Sequence, residues 1–97
     1  MNNDTSVEKD IRASIRQYIV STWLSGDERG FDDGTDLLSA GILDSFSTLS
    51  ITAHLEDTFR IQLLPAEINP ENLRNVNALA RIVATKLASK NTSPTAT

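Results

Sequence analysis

Asp44 and Ser45, inside the stretch GILDSFSTLS at residues 41–50, are the residues whose types and position best suit chemistry. A serine hydroxyl at the start of a helix has two uses. It can accept from the unpaired N–H groups of the first turn, as the neighbouring carboxylate also can. It can instead be a point of covalent attachment, and a phosphate ester is favoured there because free N–H groups and the macrodipole both attract an anion. An Asp-Ser pair read alone is a cap far more often than a functional site. Its setting favours the second use, because a long anchored loop precedes it, a second apolar strip follows it, and no better chemical centre exists in the chain.

The other candidates are weaker. His54 is the one histidine and has no triad order or metal-ligand spacing around it, so it reads as a helix position without a catalytic role. Tyr18 and Trp23 repeat with the apolar face of the first helix, which makes them core or core edge rather than platforms for stacked bases. Asp32, Asp33 and Asp36 do not match the ligand spacing of a calcium loop and read as solvated loop acids, so no metal site is expected. There are no cysteines, which excludes disulfides, thiolate metal sites and any thioester on the protein's own sulfur. Thiol chemistry would have to be imported.

The 97 residues suit one small domain with a modest core, too small for an elaborate enzyme with separate cofactor and substrate lobes. Hydrophobic content of 39% and charged content of 23% are ordinary for a globular chain. The net charge is −4, with nine Lys and Arg scattered among thirteen acids. That balance disfavours nucleic acid, whose phosphates need clustered cations, and favours partners with basic patches. MNNDTSVEKD is polar and acidic rather than a leader, and no apolar run would span a bilayer, so a cytoplasmic location is expected.

Four helices would position the Asp-Ser pair. Thr5-Ser6-Val7-Glu8 has a capping-box pattern, and Val7, Ile11, Ile15, Tyr18, Ile19 and Trp23 recur at helical spacing up to Ser25-Gly26. A long loop follows to Asp44, broken by glycines and acids but pinned by Phe31, Leu37, Leu38, Ile42 and Leu43. The second helix is predicted from Ser45 to about Phe59. Ile51, Leu55 and Phe59 face a core, whereas Phe46, Leu49 and Ala53 form a neighbouring strip that is partly exposed. Pro70 opens a short third helix, and Asn75 caps a last one carrying Val76, Leu79, Ile82, Val83 and Leu87. Lys86 and Lys90 suit that helix's C-terminal dipole end. The expected architecture is all-α, with a flexible stretch at 1–5, one domain at 6–88 and a disordered tail at 89–97.

Gly41-Ile42-Leu43-Asp44-Ser45-Phe46 resembles the G-x-x-D-S-[LF] signature of phosphopantetheine-dependent carrier proteins, the small four-helix acyl, aminoacyl and peptidyl carriers. Three further stretches agree in order and spacing. Asp36 to Gly41 resembles the family's D-x-L-x-x-x-G, Leu55 to Ile61 its L-E-x-x-F-x-I, and Pro70 to Val76 its P-E-N-[FL]-x-[ST]-V. Together these cover about residues 6 to 88. Ser50 stands where fatty-acid carriers commonly have an acid, and Phe46 where they usually have leucine. Phe46 and the long loop from Leu64 to Pro70 are more similar to D-alanyl carriers and to free-standing carriers of polyketide and nonribosomal pathways.

The resemblance implies a four-helix bundle of acyl-carrier-protein type and a function as a stand-alone, non-enzymatic carrier. Ser45 would receive 4′-phosphopantetheine from coenzyme A through a separate magnesium-dependent phosphopantetheinyl transferase, with Asp44 helping that enzyme recognise the loop. The arm's sulfur would hold an acyl or aminoacyl group as a thioester. Phe46, Leu49, Ala53, Glu56 and Asp57 would dock a loading ligase and downstream synthase enzymes, apolar at the middle and acidic at the rim. The chain is expected to act as a monomer. The competing reading is a small helical interaction module without a prosthetic group, in which Ser45 only caps its helix.

Overall fold

The first helix exists because isoleucine recurs every fourth residue. Ile11, Ile15 and Ile19 stack on one side of α1 (Asn3–Trp23) and are all buried, with Val20 beside them. In this computed structural model, which describes residues 3–92, the helix starts ahead of the predicted Thr5-Ser6 cap, since nothing between Asn3 and Thr5 breaks a helix. Val7, expected on the buried face, is exposed. The helix ends where Ser25 and Gly26 both take positive φ and the Gly26 N–H returns to the Val20 carbonyl, a left-handed exit.

Three further helices follow among the described residues: α2 (Ser45–Phe59), α3 (Pro70–Leu73) and α4 (Val76–Thr92). The fold is all-α, a small four-helix bundle with no strand among the described residues. A single 3₁₀ turn, Pro65–Glu67, sits between α2 and α3 and was not anticipated. Asn69 caps α3 by accepting from the Asn72 N–H at 2.8 Å, and Asn75 opens α4 by accepting from the Ala78 N–H at 2.7 Å. Helix α4 continues to Thr92, past Ser89 where the tail was predicted to begin, because no residue from Ser89 to Thr92 is a glycine or proline. The rest of the predicted flexible ends, residues 1–2 and 93–97, lies outside the described residues. Lys86 pairs with Glu67 at 2.8 Å, so it fastens the 3₁₀ turn to α4 as well as lying toward the helix end.

The core runs through the bundle from Ile15 and Ile19 to Ile51 and Leu55 of α2 and to Val76, Leu79 and Val83 of α4. The long loop contributes as much as a helix would. Phe31, Leu37, Ile42 and Leu43 are buried, as their types predict, but Leu38 points outward and is 61% exposed. Arg16 of α1 holds the start of that loop, donating to Glu28 at 2.9 Å, to Asp33 at 3.0 Å and to the Phe31 carbonyl at 2.9 Å. Two carboxylates on one guanidinium raise its pKa further. The three loop acids are therefore not merely solvated. Asp33 is this ion-pair partner, Asp32 accepts from the Gly34 N–H, and Asp36 accepts from the Leu38 and Ser39 N–H groups. No helix among the described residues is long and apolar enough to cross a membrane.

Candidate functional site

The start of α2 is built by a reciprocal pair of hydrogen bonds. The Ser47 N–H donates to Asp44 Oδ1 at 2.8 Å, and the Asp44 N–H donates to Ser47 Oγ at 2.8 Å. Asp44 is thus the N-cap and Ser47 closes a capping box. Ser47 also donates to the Ile42 carbonyl and is 1% exposed. The Ser47 N–H above all, with the Phe46 N–H, holds the Asp44 carboxyl below the usual carboxylate range. Sequence reading missed Ser47. Its signal in the sequence is an oxygen-bearing residue three positions after an Asp at a helix start.

Ser45 occupies the first helical position and takes no part in the cap. Its side chain is exposed, and its hydroxyl has no hydrogen-bond partner among the described residues. Of the two residues expected to cap the helix, Asp44 is the cap and Ser45 is not. Asp44 does that work, and the Ser45 oxygen is left at the positive end of a 15-residue helix.

Downstream, α2 separates its apolar residues sharply. Ile51 and Leu55 are enclosed, whereas Phe46 is 76% and Leu49 71% exposed, and Ala53 and Asp57 are exposed with them. Their spacing of three and four places them on one outward side of the helix. Phe59, expected in the core, is only half-buried at its edge. Glu56 is half-buried too, and its Oε2 accepts from the Leu63 N–H at 2.9 Å. It ties the chain leaving α2 back to the helix, which leaves Asp57 as the exposed acid of the strip.

His54 stacks on Tyr18 of α1, ring centroids 3.7 Å apart and planes 5° from parallel. Tyr18 in turn meets Trp23 edge-on and donates to the Ser50 carbonyl at 3.3 Å. Burial in this contact lowers the His54 pKa, with Asp57 acting weakly the other way. The three rings form an α1–α2 joint; Tyr18 and Trp23 pack at the core edge, as their sequence positions indicate. Among the described residues no group of His, Cys, Asp and Glu is arranged to hold a metal ion. No family model matches the chain, and no curated protein matches it.

Proposed function

We propose that the chain is a carrier protein whose Ser45 hydroxyl is the attachment point for 4′-phosphopantetheine. The observation that carries this reading is the division of labour at the start of α2. Asp44 and Ser47 satisfy the helix end between them, while Ser45 stands exposed with a hydroxyl that the fold does not use. A phosphodiester suits this position, because the helix N-terminus favours an anion by about 0.3–1 kcal/mol. In the attachment, Ser45 Oγ would bond to the phosphorus bearing pantetheine in coenzyme A. The pyrophosphate P–O bond breaks, adenosine 3′,5′-bisphosphate leaves with the electron pair, and the serine proton passes to the transferase. The arm, once bound, supplies the thiol that a cysteine-free chain lacks.

The chain's own residues then have defined tasks. Ser45 holds the arm, the Asp44-Ser47 pair fixes the direction in which α2 presents it, and Phe46, Leu49 and Ala53 offer an apolar face for a partner with Asp57 at its edge. Partners carrying basic side chains around an apolar centre fit a chain of net charge −4. On this reading the protein is a cytoplasmic monomer, not itself an enzyme, that presents acyl or aminoacyl groups to ligases and synthases. The test is the intact mass after incubation with coenzyme A, Mg²⁺ and a broad-specificity phosphopantetheinyl transferase. A gain of one phosphopantetheine group is expected; an unchanged mass contradicts the reading.

A further inference from the structure

His54 is half-buried where α2 meets α1, and the chemistry proposed at Ser45 makes no use of it. Its ring lies flat on Tyr18, and the Tyr18 hydroxyl donates at 3.3 Å to the carbonyl of Ser50, one helical turn before His54. Tyr18 therefore grips a single turn of α2 by ring face and by hydroxyl. Trp23, the one tryptophan of the chain, closes the set edge-on at 5.6 Å from Tyr18. The ends of α2 are held by other means: the Asp44-Ser47 box fixes its start, and the Leu63 N–H on Glu56 Oε2 fixes its exit. The middle depends on the core contacts of Ile51 and Leu55 and on this ring stack.

A neutral imidazole suits this place better than an imidazolium. The phenol covers one face of the ring, so a charge there loses hydration, and the attraction of a cation for an aromatic face recovers only part of that loss. The groups facing the ring add little. From α1 there is Tyr18, whose hydroxyl is pushed up by burial and stays protonated at neutral and acid pH. From α2 there are Thr58, its hydroxyl 3.4 Å from both ring nitrogens, and the exposed carboxylate of Asp57. Burial outweighs Asp57, and the His54 pKa lies below its ordinary 6.5.

We infer that the His54-Tyr18 stack is an acid-released latch between α1 and α2, closed while His54 is neutral and loosened when it takes up a proton. The latch belongs to the fold and stands whether or not Ser45 is modified. With the folded pKa below the unfolded one, its contribution is complete above the unfolded value and is lost as pH falls through the folded value. Between those two values opening gains up to about tenfold for each pH unit. Acid thus loosens the turns that carry Leu49 and Ala53 on the outer side of α2, while the capping box keeps Ser45 in place.

The experiment titrates the whole unmodified chain from about pH 8 to about pH 4.5, a range set by the ordinary histidine value. The ring protons of His54 and Tyr18 are followed by NMR, Trp23 by fluorescence, and the amides of residues 50–54 by their protection from hydrogen exchange. The His54 midpoint is expected below 6.5, with the Tyr18 and Trp23 signals and the loss of amide protection sharing it. His54→Phe keeps a flat ring for Tyr18 and cannot take a proton, so its signals should stay level over the same range, and Ser45→Ala should respond as wild type does. A His54 midpoint at or above 6.5, Tyr18 and Trp23 signals that ignore that midpoint, or unchanged protection at residues 50–54 overturns the inference on wild type alone. The same acid response in His54→Phe overturns it too. A chain that takes up no phosphopantetheine yet shows the shared midpoint contradicts the carrier reading and supports the latch.

Discussion

The two sides of α2 are made of similar residues and do opposite things. On the inner side Ser47, Ile51 and Leu55 are sealed, the serine bonded to the cap and the aliphatics to the core. On the outer side Ser45, Phe46 and Leu49 are open, the serine unbonded and the apolar residues uncovered. Residue type does not distinguish the sides, since each has a serine followed by large apolar groups. What distinguishes them is a two-residue step in a helix that turns 100° per residue, which moves one serine under the loop and leaves the other facing out. The proposed carrier function uses the outer side, where an apolar surface that the fold does not cover lies next to a hydroxyl that it does not use.

The largest effect that can break this comparison is at Leu55. Leu55→Ala removes a side chain that is 1% exposed and is expected to cost about 2–5 kcal/mol, read as a sharp drop in melting temperature. Ser47→Ala comes next. It strips the partner from the Asp44 N–H and the Ile42 carbonyl in a buried place, an expected loss of about 1–3 kcal/mol in denaturant unfolding.

A smaller effect sharpens the account of the cap. The Asp44 carboxyl has a folded pKa below its unfolded one, so its contribution is complete above the unfolded value and disappears as pH falls through the folded one. Melting of the wild type should therefore decline on acidification below about pH 4. Asp44→Asn, which keeps a neutral capping oxygen, should show a shallower decline, and an equal decline in both would place the acid sensitivity elsewhere. Phe46→Ala and Leu49→Ala should have the least effect on folding, within about 0.5 kcal/mol, while slowing loading by a partner ligase or synthase. If either unfolds the domain as Leu55→Ala does, the outer side is core.

Much of this was legible in the sequence because the signals were local. The 3.6-residue period gave α1, α2 and α4, Asn75 and Pro70 marked helix starts, and Ser45 to Phe59 bounded α2. The misses are residues whose environment is set by distant chain. Leu38 has the type of an anchor, yet the turn held by Asp36 and Gly41 puts Leu37 inside and Leu38 outside. Asp33 looks like any loop acid until the fold brings Arg16 beside it from seventeen residues away. Phe59 has the right period for the core but sits at the last turn of α2, where Arg60 in a left-handed conformation turns the chain away. At the candidate site, the exposure of Phe46 and Leu49 followed from the sequence pattern, whereas the choice of Asp44 over Ser45 as the cap is set by the burial of Ser47 against the Ile42 carbonyl.

The central claim is that Ser45 is free of structural duty and is the modified residue, and Ser45→Ala tests both halves at once. The variant is incubated with coenzyme A, Mg²⁺ and the transferase, its intact mass is measured, and its melting curve is recorded beside those of wild type and Ser47→Ala. With no hydrogen bond of its own to lose, Ser45→Ala should melt within about 0.5 kcal/mol of wild type, well above Ser47→Ala, and gain no mass where wild type gains one phosphopantetheine group. A variant that still gains that mass, or that melts as early as Ser47→Ala, contradicts the account.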